Sequence, residues 1–88
     1  MITRMYGVYD GVAKAFATPF FMRSDAEAIR AFSAEVNNPT SMLCQNRADF
    51  SLHLLAEFDD GSGEVVAAGK MLVKAAAVYL TPVEKEGV

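Results

Sequence analysis

Between Ser24 and Ala68 the chain spells three signals in succession, a capped helix, an alternating strand and a hairpin turn, and together they leave few folds open. Ser24 is a good helix N-cap. Glu27, three residues on, completes a capping box, and Asp25 and Glu27 both lie where the positive end of the helix dipole favours acids. Ile29, Phe32 and Val36 recur at helical spacing and form one apolar stripe, with Glu27, Arg30, Ala34 and Glu35 away from it, so the helix is expected to pack on a sheet. Asn37-Asn38-Pro39 stops it, because Asn tolerates the left-handed conformation of a helix end and Pro39 disfavours a helical Asn38. Phe50, Leu52, Leu54, Ala56 and Phe58 then alternate with Ser51, His53, Leu55, Glu57 and Asp59, which predicts a strand with one buried face. Asp60-Gly61-Ser62-Gly63 supplies the backbone freedom of a hairpin loop, after which Glu64 to Ala68 returns antiparallel.

The flanks are less decided. Met1 to Asp10 is rich in Ile, Met, Tyr and Val and stops at an Asp-Gly turn signal. Its apolar residues fall on both parities, Ile2, Tyr6 and Val8 against Met5 and Tyr9, which suits an inner strand covered on both sides. Ala15 to Met22 is read as the strand that follows, with Pro19 at an edge or bulge because it cannot donate a ladder hydrogen bond. Thr40 to Ala48 reads as a connecting loop with room for one helical turn. Met71 to Leu80 is open between helix, for its alanines, and strand, for Val73, Val78 and Tyr79. The expected fold is a small α+β domain over residues 1–80, an antiparallel sheet with one main helix on one face in the order β-β-α-β-β plus a C-terminal element, and a polar tail over residues 81–88.

At 88 residues the chain has length for one small core, yet 52% of it is hydrophobic, more than one core readily hides, so a homo-oligomer is expected. The net charge of -3 comes from the segment Ser41 to Asp60, where only Arg47 opposes Asp49, Glu57, Asp59 and Asp60. There is no basic run, which argues against tight, sequence-blind binding of nucleic acid by a monomer. One cysteine, Cys44, excludes an internal disulfide, fits a reducing compartment and reads as a small buried hydrophobe. With no apolar leader and no stretch near the roughly 20 apolar residues of a membrane span, the chain reads as cytosolic.

Catalytic and metal signatures are weak. The carboxylates Glu57, Asp59, Asp60 and Glu64 do not have the spacing of a calcium loop and read as a solvated hairpin end. His53 and Cys44 alone cannot supply the three or four ligands of a zinc site. No phosphate loop or nucleophile elbow is present, so an enzyme is the least expected class, and no cofactor is expected. The aromatics interleaved with cations carry the functional expectation. A sheet that shows aromatic rings and a few Arg or Lys can stack unpaired bases and touch phosphates. Tyr9 and Phe21 are the expected stacking platforms, since packing the strand pair on the helix through Tyr6 and Phe20 turns them away, and Arg4, Lys14, Arg23, Arg30 and Lys70 are the expected phosphate contacts.

The segments Tyr6 to Asp10 (YGVYD), Pro19 to Phe21 (PFF), Ala28 to Phe32 (AIRAF), Val36 to Pro39 (VNNP), Ser41-Met42, Asp49-Phe50 and Glu57 to Gly63 (EFDDGSG) run in the order and spacing of a known family. In these the chain resembles the small nonstructural protein encoded by gokushoviruses (Microviridae) and related tailless, icosahedral single-stranded DNA phages. Each motif is short, and together they cover most of the chain up to Gly63. Ala56 stands where relatives tend to have Gly, and Arg47 near where they have Pro, so the local bulge and loop shape are where the resemblance is loosest. It implies a DNA-binding, nonstructural role in viral replication, at the switch from duplex replication to single-strand synthesis or packaging, in the host cell cytoplasm. It carries over no catalytic residues. Single-stranded DNA, the chain itself and phage replication or capsid proteins are the implied partners. The alternative is a homo-oligomeric interaction module that modulates the replication or packaging machinery without touching DNA, which the acidic segment favours.

Overall fold

The computed structural model describes residues 1–80, and the tail expected over 81–88 lies outside the described residues. Five strands form one antiparallel sheet: β1 (Ile2–Asp10), β2 (Ala15–Phe16), β3 (Phe20–Met22), β4 (Phe50–Asp59) and β5 (Val65–Lys74). Three helices, α1 (Asp25–Val36), α2 (Met42–Gln45) and α3 (Ala75–Val78), complete the described residues. The path across the sheet is β2-β1-β4-β5, with β3 also paired to β1. β1 is therefore an inner strand, though the described residues cover it on one side only, through Tyr6, and not on both as expected. The residues after it do not return as one strand: Ala17 to Pro19 break the pairing, and β2 and β3 divide the edge between them. A proline there leaves the ladder one donor short, which is tolerable only at an edge.

The helices all lie on one face. Tyr6, Leu52 and Leu54 from the sheet meet Ala28, Phe32 and Val36 from α1 and Ala75 from α3 in the core, with Phe20 stacked on Tyr6 at a centroid distance of 5.8 Å. The α1 stripe is thus rotated from the expected one: Ala28 is buried and Ile29 only half-buried. The Ser24 hydroxyl accepts from the Glu27 N–H at 3.2 Å, as a cap should. The Glu27 carboxylate, however, reaches one residue further back than a capping box requires, to the Arg23 N–H at 3.3 Å. Asn37 ends α1 at φ -95°, outside the left-handed region, and caps through its side chain, whose amide donates to Ser33 O at 2.8 Å and to Val78 O at 3.0 Å. The same side chain accepts from Leu80 N–H at 2.7 Å and so fixes the chain beyond α3. Met71 to Leu80 is both strand and helix: β5 runs on to Lys74, and α3 follows. Cys44 is buried and free in α2.

The expected alternation of β4 holds only as far as Leu54. In the register with β1, Tyr6 faces Leu54 but Met5 faces Ala56, so Leu55 is an extra residue, a bulge. A one-residue insertion exchanges faces. Ala56 and Phe58 leave the helix side and join Met5 and Thr3, while Glu57 moves to the helix side beside Arg4. β5 bulges against β4 at Leu72 and again at Ala68-Gly69, where Gly69 takes φ +62°. Gly63, at φ +80°, serves the hairpin loop as expected.

Candidate nucleic-acid interface

The face away from the helices is open among the described residues. Its residues follow from the register: Thr3, Met5, Gly7 and Tyr9 on β1, Phe16 and Phe21 on the edge, Ser51, His53, Leu55, Ala56 and Phe58 on β4, and Val65, Ala67, Met71 and Lys74 on β5. None of them is a carboxylate.

Two aromatic groups stand on this face. Near the end of β1, Tyr9 and Phe16 are 4.9 Å apart between ring centroids, and the His53 ring meets Phe16 edge-on at 5.3 Å. Gly7 makes this possible. A Cβ there would lie 2.7 Å from Leu55 Cδ1 and 3.1 Å from Phe16 Cδ1, so both side chains fold down over bare backbone. His53 Nε2 lies 2.9 Å from Ser51 Oγ, and burial holds the imidazole pKa below its ordinary value, which keeps the ring neutral at neutral pH. The second group is Phe21 and Phe58, edge to face at 6.4 Å, with Phe21 55% exposed. Phe21 pairs with Met5 and Phe16 with Tyr9, so about 13 Å of strand separates the two groups, four residues at ~3.3 Å each.

The expected cations divide. Phe21, Arg23, Arg30 and Glu27 line one shallow groove between β3 and α1, and among the described residues neither arginine is in an ion pair. Lys14 is exposed in the turn after β1, at φ +57°, beside the first aromatic group in sequence and at the other end of β1 from Arg23. Arg4 points to the helix side, where Asp25 at 3.2 Å and Glu57 at 3.3 Å share its charge. Lys70 also falls on the helix side, opposite Leu54, and its charge helps hold the Asp25 carboxyl low. Tyr9 is half-buried beneath its neighbours, whereas Phe16, not among the expected platforms, is 46% exposed. Lys74 is the cation sequence reasoning missed. It pairs with Ser51 on the open face because the Leu72 bulge reverses parity between Lys70 and Lys74.

On the helix side the Tyr6 hydroxyl donates to Asp25 Oδ1 at 2.7 Å, in the same cluster as Arg4 and Glu57. Burial, and then this bond, raise the phenol's pKa, while the bond from Tyr6 is the main reason Asp25 titrates below its usual range. The cluster clasps the first turn of α1 to β1. Arg47, the lone cation of the acidic segment, stacks 3.7 Å over the Tyr79 ring and donates to Cys44 O at 2.8 Å. Asp59 and Asp60, solvent-accessible as expected of the hairpin end, lie 3.8 and 2.8 Å from the Met1 amino group. Among the described residues no three His, Cys, Asp or Glu side chains converge on a metal position.

Residues 3–78, which include every strand and helix just described apart from the first residue of β1, match the family of phage ORF5 proteins. The chain belongs to that family. It is thus a small phage-associated protein, and the matched span holds all of the candidate interface. No significant match to a curated protein or to a solved structure was found.

Proposed function

We propose that this ORF5 family protein is a nonstructural accessory of gokushovirus-like single-stranded DNA phages that binds single-stranded DNA weakly per subunit during genome replication or packaging. The observation that carries the reading is the open sheet face: two aromatic groups, no carboxylate on the face itself, and cations at both ends, those beside Phe21 sharing their groove with Glu27. Base stacking on exposed rings needs no sequence match and is worth about 1–3 kcal/mol per base. Phe16 and Phe21, with Tyr9 beneath, offer the rings, and Lys14, Lys74, Arg23 and Arg30 the phosphate contacts. The acidic total of the chain opposes this, but these carboxylates lie off the open face, Glu57 beside Arg4 on the helix side and Asp59 and Asp60 beside the Met1 amino group. Weak contacts per subunit become useful when copies are linked.

Fluorescence anisotropy with a labelled oligonucleotide at low salt tests it. Binding is expected to weaken with salt at a slope of about 0.7 per phosphate contact, and Arg23→Ala and Lys74→Ala should each flatten the slope by about that amount. No binding at low salt, or binding indifferent to salt, would sink the reading. The second reading, an interaction module without DNA contact, has one observation in its favour, an apolar groove between β1, β3 and α1 lined by Val8, Phe20, Met22, Phe32 and Leu43. Partners that stay bound in a pull-down after nuclease treatment would select it.

A further inference from the structure

The two edges of the sheet are unlike. One is broken at Ala17 to Pro19 into strands of two and three residues, which gives a neighbouring chain little to pair with. The other is β5, ten residues long, with no Pro in it and no charge from Val65 to Gly69. Val65 is 62% and Val66 54% exposed, and among the described residues nothing pairs with the outer side of this strand. The bulges at Ala68-Gly69 and Leu72 interrupt this edge, but they leave the apolar run Val65 to Ala67 straight and without a partner, which natural sheets seldom do.

The hydrogen-bond pattern tells which groups are free. Asp59 N–H donates to Glu64 C=O at 3.0 Å, so Asp59 and Glu64 are a bonded pair. Phe58 and Val65, the next pair, are then a non-bonded one, and alternation turns the N–H and C=O of Val65 and Ala67 away from β4. Two copies meeting antiparallel about a two-fold axis satisfy these groups mutually when both opposed residues face outward. Charge selects the register. With the axis at Ala67, Glu64 stands opposite Lys70 of the partner subunit at each end. Both residues lie on the helix side of the sheet, and such an axis keeps the helix sides together. The same register sets Val65 against the side-chain-free Gly69 of the partner subunit. A register placing Glu64 opposite Lys74 of the partner subunit fails, because Lys74 lies on the open face.

We infer that β5 is a homodimer interface, formed by antiparallel pairing of two β5 edges about Ala67, with Glu64 and Lys70 making reciprocal ion pairs. This deepens the oligomeric part of the DNA-binding reading and is tested without DNA, so either can fail alone. Sedimentation of the full chain over a concentration series should show a monomer–dimer equilibrium. Glu64→Lys and Lys70→Glu should each weaken the dimer about tenfold or more, since each turns two opposite-charge pairs into like-charge ones, and the double swap should restore it. Hydrogen exchange adds a readout independent of the variants: the Val65 and Ala67 amides should gain protection in step with dimer formation. A chain monomeric at millimolar concentration overturns the proposal. So do a dimer indifferent to the single swaps, a dimer broken by Phe21→Ser instead, and Val65 and Ala67 amides already protected in the monomer, which would mean that the chain's own residues 81–88 cover the edge.

Discussion

The covered and open faces of the sheet are built from the same strands but treat polar groups in opposite ways. On the covered face each charge near the core has a partner within reach: Arg4 holds Asp25 and Glu57, and Tyr6 caps Asp25. On the open face the polar groups are few, the rings are large, and the cations Lys14, Arg23 and Lys74 stand toward its ends, while Arg30 on α1 shares with Glu27 the groove beside Phe21. Burying a charge without a partner is expensive, so the covered face had to settle its electrostatics internally. The open face did not, and what it leaves unpaired is available to a ligand.

The largest expected effect lies in the core. Leu52 is fully buried on the covered face, and Leu52→Ala should cost about 2–5 kcal/mol in urea denaturation, against less than about half of that for the half-buried Leu55→Ala on the open face. Equal losses would break the comparison, since they would mean that the open face is covered in solution. Next comes Tyr6→Phe, which removes a 2.7 Å hydrogen bond to a carboxylate and should cost about 1.5–3 kcal/mol by the same measurement.

Acid should separate the faces further. The folded-state pKa values of His53 and Asp25 are both depressed, so each contributes stability that is present above its ordinary pKa and is lost as pH falls through its folded value. The urea midpoint should therefore decline first below pH 6.5, through His53 on the open face, and again below pH 3.8, through Asp25 on the covered one. His53→Phe should abolish the first decline, and Tyr6→Phe should shrink the second. A single transition unaffected by either change would contradict the assignment. The smallest effect on stability is expected at Phe21, where Phe21→Ser should stay within about 1 kcal/mol while sharply weakening oligonucleotide binding by anisotropy.

Periodicity and capping residues were enough to place the helix, the inner first strand and the β4–β5 hairpin, because each is a local preference written in side chains. The division of faces was not. It turns on Leu55 and Leu72, where one extra residue reverses every side chain beyond it, whereas at Ala68-Gly69 two residues oppose the single Leu55 and β5 keeps its own alternation. Leu55 and Leu72 look like their neighbours, and only Gly69, with its positive φ, marks a bulge in its residue type. The Leu72 bulge puts Lys74 on the open face and leaves Lys70, also exposed, on the helix side, and Arg4 meets Asp25 and Glu57 only through the fold. The rings fared better: Phe21 and Tyr9 do turn away from Tyr6 and Phe20, since a short strand allows no second choice.

The break at Ala17 to Pro19 sets a ceiling on assembly. A sheet grows into a ribbon only when every added copy brings a fresh edge as good as the one it consumes. If two copies join along β5, both continuous edges are used, and the pair is bounded on each side by strands too short and too interrupted to recruit a third. High concentrations of this protein would then yield more pairs and no filaments.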